Sequence, residues 1–198
     1  VTTSAIVGVV VVILLIAIGV GGWVLSHRSN SNSTAQQHHH VSPPAPTASA
    51  LPVTGATAHD NASKAMLAID GNPSTDWYTD YYLGSPVFGG LYKGTGLVLD
   101  MGNQVKISQI QVLFGANVGA NVAIKVTDSA TPPSPLSGGS LPTVAQASDV
   151  GNSQTFTLKH AVTGRYVVIW ITKLPPKIGG SSQQYQAEIY NVVVRGTG

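Results

Sequence analysis

The architecture this sequence predicts is all-β: a β-sandwich or jelly roll, preceded by one transmembrane helix and a disordered linker. Three observations lead to it. Short runs of apolar residues alternate with polar ones through the larger, C-terminal part of the chain. Glycine and proline clusters separate those runs, and strongly helix-forming stretches are scarce. Near the start, one uncharged apolar segment stands apart from everything that follows.

That segment, Ala5 to Leu25, carries no charge in 21 residues. At the rise of an α-helix it spans roughly 30 Å, the thickness of a bilayer core. Trp23 falls near its end, where interfacial aromatics are usual, and Ser26-His27-Arg28 marks the exit into water. A signal peptide would show a basic stretch before a shorter apolar core, and no basic residue precedes Ala5 here. Residues 1–28 are therefore assigned to a single membrane span with its flanks. The chain begins with Val1, which suggests the C-terminal portion of a longer protein or a processed product.

Residues 29–52 are Ser, Asn, Thr, Ala, Gln, His and Pro-rich, with no acidic side chain. Such a stretch cannot bury enough apolar surface to fold. As a random coil it would reach roughly 28 Å, a tether that holds a domain away from the membrane. A stalk of this kind places the remaining residues, 53–198, outside the cytoplasm. Arg28 alone would argue the opposite orientation, but a single flanking charge carries less than the stalk.

Residues 53–198 hold the strand signals. Gly96 to Asp100 is one run, ended by a predicted turn at Met101-Gly102-Asn103. Ile110, Val112 and Phe114 alternate with Gln109, Gln111 and Leu113, as a half-buried strand requires. Val122, Ile124 and Val126 alternate with Ala123, Lys125 and Thr127. A shorter run spans Gln154 to Leu158. Arg165 to Thr172 is apolar on both faces and is read as a central strand covered on both sides. Glu188 to Arg195 closes the chain.

Composition excludes several functions. Charged residues make up only 9% of the chain and the formal net charge is +2, with basic residues scattered singly, so no nucleic-acid stripe exists. The absence of cysteine removes disulfides, thiolate catalysis and zinc–thiolate sites. Gly90 to Thr95 contains a lysine and a threonine but not in phosphate-loop order. The dispersed histidines and aspartates show no nucleophile–base arrangement, and a non-catalytic protein is expected.

Two stretches concentrate chemistry. The loop Asp70-Gly71-Asn72-Pro73-Ser74-Thr75 combines two turn dipeptides with three hard oxygen donors, Asp70, Asn72 and Thr75. It can fold around a cation or close as a tight turn through Asx hydrogen bonds. Trp77, Tyr78, Tyr81, Tyr82, Phe88 and Tyr92 then crowd into the next stretch. Tyr81, Tyr82 and Tyr92 are candidates for an exposed platform that stacks on a sugar, with Asp80, Lys93 or His59 orienting its hydroxyls.

The order of these landmarks resembles the discoidin-like, F5/8 type C family, also described as galactose-binding-domain-like or as carbohydrate-binding modules. The matching pieces are Ala68-Ile69-Asp70-Gly71-Asn72 with Ser74-Thr75 and Trp77, then Leu97 to Gly102, Ile107 to Val112, and Gly164 to Ile169. Ala187-Glu188-Ile189, leading to Val192 through Gly196, completes the set. The resemblance implies an eight-stranded antiparallel jelly roll with Trp77 in its core. It also implies a structural Ca²⁺ held by Asp70, Asn72, Thr75 and Glu188, with the carbonyls of Leu67 and Ala187 as companions.

Taken together, the chain reads as the extracytoplasmic recognition module of a membrane-anchored cell-envelope protein. The expected ligand is a cell-wall glycan or other carbohydrate. The alternative is a protein-interaction module of a peptidoglycan-synthesis or receptor-kinase-type membrane protein, without sugar binding. In its order of parts the chain is similar to the C-terminal regions of actinobacterial membrane proteins such as MviN-type lipid II flippases with a pseudokinase domain.

Overall fold

The computed structural model describes residues 48–198. The expected membrane span at 5–25 and nearly all of the expected linker lie outside the described residues. Among those described, no helix is long and apolar enough to cross a membrane.

The described chain forms the strands β1 (Ser49–Leu51), β2 (Gly55–Ala58), β3 (Trp77–Tyr78), β4 (Tyr82–Leu83), β5 (Thr95–Phe114), β6 (Ala120–Thr127), β7 (Thr143–Val150), β8 (Ser153–Lys173), β9 (Gln184–Tyr185) and β10 (Glu188–Thr197). Along the main sheet the order is β1-β10-β5-β8-β6-β7, with β2 added to β5 and β3 added to β10. Its ladders are antiparallel, and β4 pairs separately with β9.

Two long ribbons turn this sheet into a sandwich. The first part of β5 pairs with the end of β8, from Thr95↔Ile171 to Asp100↔Tyr166. After a register shift, Val105 pairs with Gly164 and the second part of β5 runs along the beginning of β8. β2, β6 and β7 extend the first layer; β10, β1 and β3 extend the second. The main core fills the space between, drawing Leu97, Leu99, Ile110, Val112 and Phe114 from β5, Ile124 from β6, Ile169 from β8 and Val194 from β10.

The predicted turn at Met101-Gly102-Asn103 is instead a kink inside β5. Gly102 adopts a left-handed φ of 78°, and its N–H donates to Asp100 Oδ1 at 2.8 Å. The chain bends there without reversing, because the β8 partner bends with it; Arg165 Nε and Nη2 each donate to Asp100 at 2.8 Å across the bend. For the same reason the separate runs at Gln154–Leu158 and Arg165–Thr172 are one strand. The expected linker also ends earlier than residue 52, since Ala50 pairs with Arg195 in β1. A three-residue edge strand of Ser, Ala and Leu has no periodicity to announce it. β7 escaped notice likewise, as an edge strand whose residues are mostly exposed or half-buried.

The apolar faces read from sequence are the core faces, although in β6 the alternating residues Ala123 and Lys125 are buried as well, on the opposite face. Ile110, Val112, Phe114, Val122, Ile124 and Val126 are buried in the main core. β8 is covered on both faces as expected: Val167, Ile169 and Ile171 join the main core, while Tyr166, Val168 and Trp170 form a second cluster with Val98, Ala123 and Leu141. The proline-rich segment between β6 and β7 makes this second cover. Pro135 O accepts the Gly96 N–H at 2.8 Å, and Gly138 lies so close that a Cβ there would stand 2.6 Å from the Trp170 ring.

Candidate functional site

One end of the sandwich is built from segments far apart in sequence. β4 and β9 pair through Tyr82↔Tyr185 and Leu83↔Gln184. The Gly84 N–H donates to Gln183 O at 3.0 Å, and the Leu174 N–H to Pro86 O at 2.8 Å. Asn117 ties in a third segment: its Oδ1 accepts the Ile178 N–H at 2.7 Å. His59 adds a fourth, packed edge-on against Tyr92 with ring centroids 5.4 Å apart.

Of the candidate ligand residues, Tyr81 is the exposed aromatic, 57% accessible, with Lys177 Nζ 5.7 Å from its ring centroid. Leu83, two residues along the chain from Tyr81, and Ile178, next to Lys177, are also exposed. Lys93 and Asp80 are exposed, and Asp80 Oδ1 accepts the Asn61 side-chain N–H at 3.0 Å. Tyr92 is half-buried against the main core.

Tyr82 does not belong to an exposed platform. It is 8% accessible, stands edge-on to buried Phe88 at 5.2 Å, and donates its hydroxyl to the Asp60 carboxylate at 3.1 and 3.2 Å. Neighbouring tyrosines in an extended segment point to opposite faces, so only one of Tyr81 and Tyr82 can face water. Burial and the adjacent Asp60 carboxylate push the Tyr82 phenol well above its ordinary range.

Asp60 is the residue that sequence reading missed. It is 3% accessible, and its backbone carbonyl accepts the indole N–H of the fully buried Trp77 at 2.8 Å. Burial raises its pKa, while the hydrogen bond from Tyr82 opposes the rise. One buried residue thus fastens the aromatic loop to the core tryptophan, through its carboxylate to Tyr82 and its backbone carbonyl to Trp77. No motif marks it, because its partners stand 17 and 22 residues away.

The Asp70 loop closes as a pair of Asx turns. Asp70 Oδ1 accepts the Asn72 N–H at 2.8 Å, Asp70 Oδ2 accepts the Thr75 hydroxyl at 2.7 Å, and Asn72 Oδ1 accepts the Ser74 N–H at 3.0 Å. These bonds, first the one from the Asn72 amide, hold the Asp70 carboxyl below its usual range, so it is ionised and exposed. The donor types suit Ca²⁺, which takes carboxylate, amide, hydroxyl and carbonyl oxygens.

The loop donors are therefore gathered. The donors from the closing strand are engaged elsewhere: Glu188 Oε1 accepts from Asn117 Nδ2 at 3.0 Å, and the Ala187 carbonyl accepts the Thr79 N–H at 3.0 Å. Leu67 lies in the 3₁₀ segment Ala62–Ala68 that leads into the loop. Glu188 is pushed up by burial and then by the charge of Asp76, whose own pKa burial also raises. Two partly desolvated carboxyls thus stand beside the loop. Among the described residues, no three His, Cys, Asp or Glu side chains gather to hold a metal.

No protein-family model matches the sequence. Solved structures do match. The chitosan-binding module 1 from the chitosanase/glucanase of Paenibacillus sp. IK-5 covers 74% of this chain and 96% of its own, at 20% identity and a TM-score of 0.54. The fold is discoidin-like. The family 32 carbohydrate-binding module of C. perfringens NanJ, solved in complex with galactose, shares this discoidin-like fold over 75% of the chain and 99% of the module, at 19% identity and a TM-score of 0.53. The family 32 module of AlyQ, in complex with 4,5-unsaturated mannuronic acid, covers 74% and 97%, at 19% identity and a TM-score of 0.52.

Proposed function

We propose that residues 49–198 form a non-catalytic module that binds a carbohydrate at the end of the sandwich around Tyr81. The observation that carries this reading is the exposed Tyr81 ring, flanked by Lys177 and set on loops fastened to the core through Asp60 and Asn117. An aromatic face offers stacking to the C–H face of a sugar, and fixed polar neighbours orient the hydroxyls. The carbohydrate-binding modules that share the fold support the same ligand class.

Within this reading, residues 1–28 anchor the module in a cell membrane through a single span. Residues 29–48 tether it on the extracytoplasmic side, where a cell-wall glycan is the ligand. The Asp70 loop holds a structural Ca²⁺, with Asp70, Asn72 and Thr75 as its gathered donors and Glu188 with the Leu67 and Ala187 carbonyls completing the set. The ion would screen the carboxylates next to the closing strand and stiffen the loop.

A second reading has its own support. Leu83, two residues along the chain from Tyr81, and Ile178, next to the Lys177 that flanks its ring, are exposed apolar side chains, which suits docking of an envelope protein. Calorimetric titration of the full chain, in detergent micelles, with galactose, chitosan oligosaccharides and peptidoglycan fragments separates the two. Sugar binding that Tyr81→Ala weakens by roughly tenfold or more supports the glycan site. No heat with any sugar at millimolar concentration leaves the docking reading in its place.

A further inference from the structure

A cleft of about 320 Å³ opens on the face of the first layer that is turned away from the main core. It lies along β6 and β7, shares no lining residue with the loop end around Tyr81, and its size falls near the lower end of small-ligand sites, roughly 300–1,000 Å³. Trp170 and Lys125 line it from the sheet, with Asn121, Gln146, Ser148 and Thr172 around them.

The hydrogen-bond inventory of this cleft is lopsided. Lys125 is 5% accessible, and its ammonium donates to Leu141 O at 2.7 Å and to Thr143 Oγ1 at 2.8 Å. An ammonium has three donors, so one has no acceptor among the described residues. Trp170 is also 5% accessible, and its indole N–H has no acceptor among the described residues, although a buried indole normally finds one. That N–H is not sealed from solvent either, since the one sealed and unpartnered side-chain atom among the described residues is Thr95 Oγ1. Asn121 spends its Oδ1 on the Asp149 N–H at 3.0 Å, which leaves its amide N–H₂ free to donate.

No acidic side chain lines the cleft. The nearby Asp149 carboxylate is paired with Lys173 at 2.7 Å. Lys125 is therefore a buried cation without a counter-charge, and such groups are normally paired. Desolvation pushes its pKa down, as expected where no carboxylate answers it.

We propose that this cleft binds a carboxylate-bearing sugar, a uronic acid unit of an acidic glycan, whose carboxylate accepts from Lys125 and from the Trp170 indole. A single ammonium matches a single negative charge, and there is no arginine fork for a phosphate among the lining residues. The hydroxyls and amides of Ser148, Thr172 and Gln146 face the ring hydroxyls of such a ligand. This site is separate from the loop end around Tyr81 and does not depend on it.

The test follows the Trp170 indole ¹H–¹⁵N signal, assigned by Trp170→Phe, in the full chain in detergent micelles. Sodium glucuronate moves the signal to saturation, while glucose and inorganic phosphate do not. Lys125→Met weakens the effect by at least about tenfold, the scale of a lost hydrogen bond to a charged group. Lys125 also clamps Leu141, so a loss in that variant could reflect loosening of the covering segment. Ser148→Glu keeps the clamp and places a competing carboxylate on the exposed wall, and it too abolishes the shift. Tyr81→Ala leaves it intact. The proposal is overturned by no movement at tens of millimolar glucuronate, by equal movement with glucose or phosphate, or by a shift that survives Ser148→Glu.

Discussion

Replacing Tyr82 by Phe removes one oxygen atom and retains the ring. The edge contact with Phe88 at 5.2 Å survives, as does burial of the ring against the core. What disappears is the hydroxyl donated to Asp60, a carboxylate only 3% accessible. A hydrogen bond to a charged group contributes about 1.5–3 kcal/mol, and a carboxylate left short of donors in a dry site costs on that scale. For a domain of this size that corresponds to a fall in Tm of roughly 3–12 °C.

The pH dependence gives a second handle on the same substitution. Burial already raises the Asp60 pKa above its ordinary 3.8, and the Tyr82 hydroxyl holds the rise in check. A folded pKa above the unfolded one imposes a cost in stability, and that cost is fully present above the folded pKa. The cost is relieved as pH falls through the window down to the unfolded value. Tyr82→Phe raises the Asp60 pKa further, so the gap in Tm between variant and parent is largest at neutral pH and narrows near pH 4. Thermal melts followed by circular dichroism at both pH values read it. A gap under one degree, or one of equal size at both pH values, refutes the assignment of Asp60 as the charged anchor of this loop. Sugar binding at Tyr81 persists in the variant at temperatures where it is folded.

Other consequences are open to the same melts. Chelation of Ca²⁺ is expected to lower Tm by several degrees and Asp70→Ala to reproduce the loss; no change in either removes the ion from the account. Asp76 and Glu188, raised by burial, add stability as pH falls from neutral toward their ordinary values, 3.8 and 4.5. Asp100 is lowered, first by its hydrogen bonds from Arg165, so its contribution is lost below 3.8. Tm is therefore expected to pass through a maximum on the acid side of neutrality, and Arg165→Met to soften the drop below it. Gly94→Ala places a Cβ 2.6 Å from the Trp170 ring and 2.7 Å from Ile171 O, and overpacking of that kind costs about 1–3 kcal/mol. Its Tm falls, with a shift in Trp170 fluorescence; an unchanged melt shows that the second cluster is loosely packed.

Legibility from sequence followed burial periodicity. The core faces at Ile110–Phe114 and Val122–Val126 and the two-faced run at Arg165–Thr172 were read correctly, because each residue's side of the sheet is determined by its neighbours two positions away; the burial of Ala123 and Lys125 on the other face of β6 was not. Edge strands such as β1 and β7 were not, since they bury too little for a pattern to form. The Asp70 loop was legible as a turn with oxygen donors clustered in it, because its hydrogen bonds span two to five residues.

Of the two adjacent tyrosines, the sequence could say that both lie in an aromatic loop, and it could not say which one faces water. That was decided by Asp60, 22 residues from Tyr82, which the fold brings within 3.1 Å of its hydroxyl. The cleft of Lys125 and Trp170 is likewise invisible in the chain. A lysine in an alternating strand reads as solvent-facing, and only the segment that folds across β6 and β8 buries it without a counter-charge. By itself the sequence determined the all-β class, the core faces and the turn at Asp70, all set by short-range spacing. Which polar groups meet, and which are left with a donor to spare, depends on contacts across tens of residues, and only the tertiary structure decided those.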